Sequence, residues 1–209
     1  MVELRLVGHA PSIYTWTLRL VLSELGREAV FEEVDPFART VPQRLRALNP
    51  AGKVPVLVEG DFVLTETRAI CLYVAEGSAL IPEDRRARAR MHEVVAMLDA
   101  EGYRPLVRQV YGQGVFAPHE GAARDPRVVA EGLRRGETVL DRLEALAPGE
   151  TLLGGAQSLA DCHAAPMIHA LTRHPEGAAL VAARPGLARW LEAQRARPAF
   201  AATRPPAPA

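Results

Sequence analysis

Residues 49–70 read NPAGKVPVLVEGDFVLTETRAI, a run that holds a lysine, a proline between two valines, a Gly-Asp pair and an acidic residue ahead of helix formers. Residues 54–58 carry the β-branched pattern of a strand, Gly60-Asp61 has the residue types of a two-residue hairpin turn, and residues 62–64 supply the return strand. That pair is antiparallel by necessity. A helix is expected from Glu66 to about Ala75, with Thr65 as its cap. Pro55 forfeits a ladder hydrogen bond, so it belongs at a strand start, an edge or a tight turn. Two readings stay open: an ordinary strand-initiating proline, or a cis Val54-Pro55 bond that turns the N–H and C=O of Val54 outward, toward the backbone of an extended ligand.

Working outward, residues 2–7 alternate like a strand, and Leu18, Val21, Leu22 and Leu25 fall on one helical face closed by Gly26. Residues 29–34, AVFEEV, restore a strand pattern, and an irregular polar stretch leads into the hairpin. Strand, helix, strand, crossover, hairpin and helix make a small α/β domain with a mixed four-stranded sheet, residues 1–77. EGSALIPEDRR, residues 76–86, is the linker, because glycine, serine and proline cluster there and strand patterns cease beyond it. Residues 85–203 read as all-helical. Long helices start near Glu83 and span residues 125–146, and shorter ones begin near Leu159, Glu176 and Pro185. Pro105 should bend the first long helix. The closing TRPPAPA has no apolar side chain to anchor a core, so residues 204–209 are expected to form a flexible tail.

The chain has 209 residues, with 25 Lys plus Arg against 25 Asp plus Glu, so no net field attracts nucleic acid or an anionic membrane. Cys71 and Cys162 both lie in apolar helical patterns and form neither a disulfide framework nor a Cys-x-x-C pair, which suits a reducing cytoplasm. No run is long enough to span a bilayer, and the start lacks the apolar stretch of a secretion signal. The six histidines show no metal-ligand spacing, so no metal is expected.

Two places can hold a small charged ligand. A helix opening at Glu66 and Thr67 presents unpaired N–H groups and partial positive charge to a carboxylate, and Glu66 suits an ammonium group. Simple capping explains the same residues. Ser12 stands where the first strand meets the first helix, so its hydroxyl either caps that helix or donates to an anion. A thiolate is the informative case. A free thiol has a pKa of about 8.5, and lowering it by two units takes roughly 2.7 kcal/mol, within reach of one hydroxyl donor plus a helix N-terminus.

GHAPS, NPAGKVPVL, GDFVLTETRAICLYV, SLADCHAAPMIHAL and ARPAF occur in this order, and together they resemble the glutathione transferase superfamily, in particular its phi class and the bacterial relatives of that class. The resemblance covers nearly the whole chain up to the tail. It implies a thioredoxin-like N-terminal domain, an all-helical C-terminal domain and an active site in the cleft between them. It places the serine that hydrogen-bonds the glutathione sulfur at Ser12, the cis-proline at Pro55 with main-chain contacts from Val54, the γ-glutamyl ligands at Glu66 and Thr67, and a polar approach to a glutathione carboxylate at Lys53. The class usually carries basic residues for the glycyl carboxylate where Thr40 and Val41 stand here, which leaves Arg39 or Arg44 as substitutes and implies weaker glutathione binding. SLAD, residues 158–161, matches the family's capping box, with Gln157 where an apolar residue would complete the staple, so Asp161 is expected to be structural.

Tyr14 and Thr15 rival Ser12 as thiol donors, and His9 is a further candidate or a structural residue. Tyr103, Val107 and Tyr111 recur at helical spacing, with Phe116 beyond, and either line the site of an apolar electrophile or belong to the core. The function that follows is conjugation of glutathione, as co-substrate, to an electrophilic small molecule, with peroxidase activity compatible and a homodimer implied by the family. A glutathione-dependent isomerase or dehalogenase and a non-catalytic binding protein are the alternatives.

Overall fold

The computed structural model describes residues 3–38, 40–119 and 121–205. The chain forms two compact units, one running up to Ser78 and taking in Ala202–Pro205, the other running from Ala79 to Ala201.

The first unit contains β1 (Leu4–Gly8), α1 (Ile13–Glu24), β2 (Val30–Glu33), α2 (Gln43–Leu48), β3 (Val56–Glu59), β4 (Phe62–Thr65) and α3 (Thr67–Ala75). Its sheet has the order β2-β1-β3-β4, with β1 parallel to β2 and antiparallel to β3, which pairs antiparallel with β4. Alternation sets the two faces. Val7 lies opposite Val56 and joins Val34, Leu45 and Val58 in one buried cluster, while Leu6 lies opposite Leu57 on the other face. β2 is an edge, and its Val30 and Phe31 are exposed. Only Gly60 of the β3–β4 turn has positive φ, 62°, the pattern of a turn with glycine at its first central position. Gly26, at φ 62°, ends α1 with the two bonds of a Schellman cap: Arg27 N–H to Leu22 C=O at 2.9 Å and Gly26 N–H to Ser23 C=O at 3.1 Å.

Three expectations need correction here. The irregular stretch after β2 contains a helix, α2, whose one fully buried residue is Leu45. Six residues with a single apolar anchor leave no periodicity to read. Thr65 ends β4 and does not cap α3; the cap position is Glu66, and no side chain caps the helix. Thr203, quoted with the tail, is buried and accepts a hydrogen bond from Trp16 Nε1–H at 3.2 Å within the first unit. Residues 206–209 of that tail lie outside the described residues.

In the second unit α4 (Arg85–Met97), capped by Asp84, continues into a segment wound in wider, π-type turns, Leu98–Phe116, and then α5 (Ala117–His119). α6 (Pro126–Leu146), α7 (Leu159–Leu171), α8 (Pro175–Ala182) and α9 (Pro185–Ala196) follow, and α10 (Pro198–Thr203) starts in this unit and ends in residues of the first. Pro105 was expected to bend an α-helix; it sits inside the widened winding, where its missing N–H is accommodated by a changed hydrogen-bond pattern. α6 packs close against this segment because Gly132 and Gly136 face it. A Cβ at Gly132 would lie 2.9 Å from the Pro105 carbonyl oxygen, and one at Gly136 would lie 2.7 Å from Leu106 Cδ2. No helix among the described residues is long and apolar enough to cross a membrane.

Candidate functional site

The register of the first unit places its candidate residues along one end of the sheet. Val56 lies opposite Val7 on one side and Thr65 on the other, so Gly8, Pro55 and Glu66, each one step further, follow in line. The β1–α1 turn runs on from Gly8 to Ser12. Gly8 is required there, since a Cβ would lie 2.5 Å from Thr15 Cγ2.

Ser12 is the N-cap of α1, with extended backbone at φ −70° and ψ 126°, and its Oγ accepts the Thr15 N–H at 3.4 Å. Capping uses a lone pair on Oγ and leaves the hydroxyl proton free to donate. The two readings of Ser12 therefore coexist. No acidic residue occupies the first turn of α1, so the positive end of the helix is not neutralised there. Tyr14 is half-buried in that turn, and Thr15 is fully buried with its Oγ1 accepting the His9 N–H at 3.3 Å.

The Val54-Pro55 peptide is cis. Val54 is half-buried against the Val7 cluster, and neither its N–H nor its C=O has a backbone partner among the described residues. The loop before it is held by Asn49, which sequence reading missed. Its buried amide donates to the Lys53 C=O at 2.9 Å and accepts the Ala51 N–H at 3.0 Å, leaving the Lys53 side chain exposed. An Asn-Pro pair opening a turn was the available sign.

Glu66 is exposed and has φ 69° and ψ 113°, a positive φ that a non-glycine residue seldom adopts. Such a backbone costs on the order of 1 kcal/mol and clusters at ligand sites. Thr67 is buried at the first position of α3. Glu66 makes no side-chain cap bond to α3, and a helix start carries partial positive charge.

The glycyl-carboxylate candidates come out differently. Val41 packs on the Val7 cluster and against Gly52, so that position serves the core. Thr40 is exposed. Arg44 is engaged by β2, donating to the Glu33 C=O at 3.1 Å and pairing with Glu32 at 3.4 Å, and is therefore not a free cation for a ligand. Arg39 lies outside the described residues.

In the second unit Val107 is buried, 5% exposed, while Tyr103, Tyr111 and Phe116 are half-exposed. The rings of Tyr111 and Phe116 are 6.4 Å apart. Burial pushes the Tyr103 hydroxyl above its ordinary range, with Arg108 opposing, and burial does the same to Tyr111 against Arg173. Both stay neutral donors at physiological pH. Asp161 closes the capping box of α7: one carboxylate oxygen accepts the Ser158 N–H at 2.9 Å and Oγ–H at 3.0 Å, the other accepts the Leu152 N–H at 2.8 Å and Trp190 Nε1–H at 2.9 Å. Gln157, in place of the staple residue, bonds instead to Gln194 at 2.8 Å. No three His, Cys, Asp or Glu side chains among the described residues converge as metal ligands.

A parallel-antiparallel sheet with a cis-proline opening its third strand, a serine-capped first helix and a separate helical unit define the glutathione-transferase fold. Residues 2–76 match the description "Glutathione S-transferase, N-terminal domain", and residues 126–193 match "Glutathione S-transferase, C-terminal domain". Glutathione S-transferase 3 of Zea mays is 36% identical over 211 residues, covering 97% of this chain and 94% of that one, and glutathione S-transferase 4 of the same plant is 34% identical, covering 91% and 90%. The structure of glutathione S-transferase III in apo form superposes with a TM-score of 0.82 at 36% identity, over 96% of this chain and 95% of that one. That of maize glutathione S-transferase I with an atrazine glutathione conjugate gives 0.84 at 27% identity, over 96% of each. The chain belongs to the glutathione S-transferase family and is phi-like within it. It is an enzyme, a glutathione S-transferase.

Proposed function

We propose that the end of the sheet where Ser12, Val54, Glu66 and Thr67 gather is the glutathione site, and that Ser12 holds the ionised sulfur for attack on an electrophile. One observation carries this: the three elements that meet there each leave a polar group unspent. Those groups are the hydroxyl proton of Ser12, the main-chain pair of Val54 and the uncapped start of α3. They match a tripeptide's thiolate, amide and carboxylate in kind. Glu66 takes the ammonium group of the γ-glutamyl end, Thr67 its carboxylate, and Lys53 approaches a carboxylate from the loop. Pro55 fixes the backbone that Val54 presents. The bound thiolate attacks carbon once the electrophile is positioned, and no further nucleophile is required.

The half-exposed rings of Tyr103, Tyr111 and Phe116, with both tyrosine hydroxyls neutral, suit contact with an apolar electrophile, and Tyr14 stands in the first turn of α1 beside Ser12. Val107, from the same segment, is buried. A homodimer goes with this reading, supported by the exposed Phe62, Val63 and Tyr73 on the first unit. A cytoplasmic setting is supported by the two buried, unbridged cysteines.

Calorimetry with glutathione tests the site. The wild type should bind with one site per chain. Thr67→Ala and Glu66→Gln should each weaken binding by about tenfold, the usual loss for one hydrogen bond to a charged group. A folded wild type that gives no heat and no competition from S-alkyl glutathione overturns the reading.

A further inference from the structure

We propose that Glu33 and His9 are positioning residues for Ser12, forming a clamp across the β1–α1 turn that keeps the serine hydroxyl at the sulfur; this rests on the glutathione site described above. β1 and β2 run parallel, and Gly8 lies opposite Glu33 at their shared end. The last side chain of β2 therefore reaches the turn that carries Ser12. Glu33 Oε1 accepts His9 Nδ1–H at 2.7 Å, and the Ala10 N–H is shared between Oε2 at 3.0 Å and Oε1 at 3.3 Å. One carboxylate thus grips a ring and a main-chain group on adjacent residues.

The rest of the turn is equally spent. The His9 N–H donates to Thr15 Oγ1 at 3.3 Å, the Ser12 N–H donates to the His9 C=O at 2.9 Å, and Pro11 has no N–H. The Val34 N–H closes the strand end on the Gly8 C=O at 2.7 Å, and the Glu33 C=O is itself held by Arg44. Remove the Glu33 carboxylate and both the His9 Nδ1–H and the Ala10 N–H lose their acceptor, while the main-chain links and the His9 N–H bond to Thr15 remain. The fold keeps its anchors, and the placement of residues 9–12 loses one.

Stability is a weak reason for this arrangement. The Glu33 side chain is 50% exposed, the His9 ring 16%, and a contact that water reaches from the carboxylate side contributes little to folding. Catalytic placement is a stronger reason, because a donor that stabilises charge must sit within about half an ångström of its productive position. The oriented imidazole also has its ring edge against Phe37, with centroids 6.0 Å apart, so the clamp extends to the loop after β2. The geometry calls for an acceptor at position 33 and does not call for a charge.

The test compares Glu33→Ala, Glu33→Gln, Ser12→Ala and the double variant Glu33→Ala/Ser12→Ala, reading the thiolate absorbance of bound glutathione against pH and the steady-state constants for a simple aryl halide. Glu33→Ala should raise the pKa of the bound thiol by about one unit and lower kcat roughly tenfold, with the KM for glutathione and the melting temperature little changed. Glu33→Gln keeps one acceptor oxygen, which can take the His9 Nδ1–H and the Ala10 N–H together as Oε1 does at 2.7 Å and 3.3 Å, and should recover part of both. In the Ser12→Ala background Glu33→Ala should add almost nothing, since the clamp acts through the serine. A thiol shift with Ser12→Ala but none with Glu33→Ala removes the clamp and leaves the site. Equal losses in Glu33→Gln and Glu33→Ala, or fully additive losses in the double variant, also overturn it. No shift with Ser12→Ala itself takes down both readings.

Discussion

Ser12 shows why a residue's structural explanation does not displace a functional one. Its oxygen accepts from the Thr15 N–H, which is capping, and its proton is left for an anion. Glu66 shows the opposite case, in which no local benefit explains the conformation. It pays no cap to α3, adopts φ 69°, and stands exposed beside the Val54 backbone's end of the sheet. His174 is a residue whose environment fixes its charge. It is 3% exposed, its Nδ1 has no partner, and Gly114 lets the ring lie so close that a Cβ there would come within 2.5 Å of Cδ2. Burial, then Arg124, holds its pKa below the ordinary histidine value, with Glu176 opposing. The unfolded chain takes up a proton near pH 6.5 that the native state refuses, so stability should fall as pH drops below about 6.5 and level off beneath the native value. Urea unfolding across that range measures the slope, and His174→Asn should flatten it. A wild-type slope that survives the substitution assigns the effect elsewhere.

At the scale of elements, legibility followed periodicity. β1, the β3–β4 hairpin, α1, α6 and α7 announce themselves through alternation, turn glycines and capping residues, and the structure places them within a few residues of where the pattern puts them. α2 does not, because one buried leucine in six residues has no period. The π-type winding of Leu98–Phe116 was also invisible: a proline inside a helical pattern says that a hydrogen bond is lost, not how neighbouring turns recover it. The absent basic residue at position 41 becomes intelligible only in three dimensions, where Val41 fills space beside Val7 and Gly52. The start of α7 carries its own prediction. Asp161 is raised above the ordinary aspartate range by burial, against four hydrogen bonds that favour its charged form. Asp161→Ala would leave the Leu152 N–H, the Ser158 N–H and the Trp190 indole without their acceptor, and should cost about 3 kcal/mol or more in chemical denaturation. The activity of the molecules that remain folded should be unchanged. A loss in turnover without a loss in stability would mean that Asp161 is not structural.

For the molecule as a whole, zero formal net charge leaves no net field to steer a ligand, and the proposed recognition rests on local groups at one end of a four-stranded sheet. The residues proposed for that end, Ser12, Val54, Pro55, Glu66 and Thr67, stood out because their short runs resemble those of glutathione transferases; their residue types alone left capping and strand-start readings open. The contacts that fix the loops carrying these runs were not legible. Glu33, His9 and Asn49 act through distances between strands and loops that spacing in one sequence does not encode. The electrophile's chemistry is hidden for the same reason, because half-exposed aromatic rings define a kind of surface and not a particular molecule. The most direct measurement is a titration of the glutathione thiol in its complex with the wild type and with Ser12→Ala, followed by thiolate absorbance. The wild type should hold the thiol about two units below its free value of roughly 8.5, and the variant should return it most of the way. A bound thiol that titrates as it does in water, or the same depressed value in both proteins, contradicts the role given to Ser12.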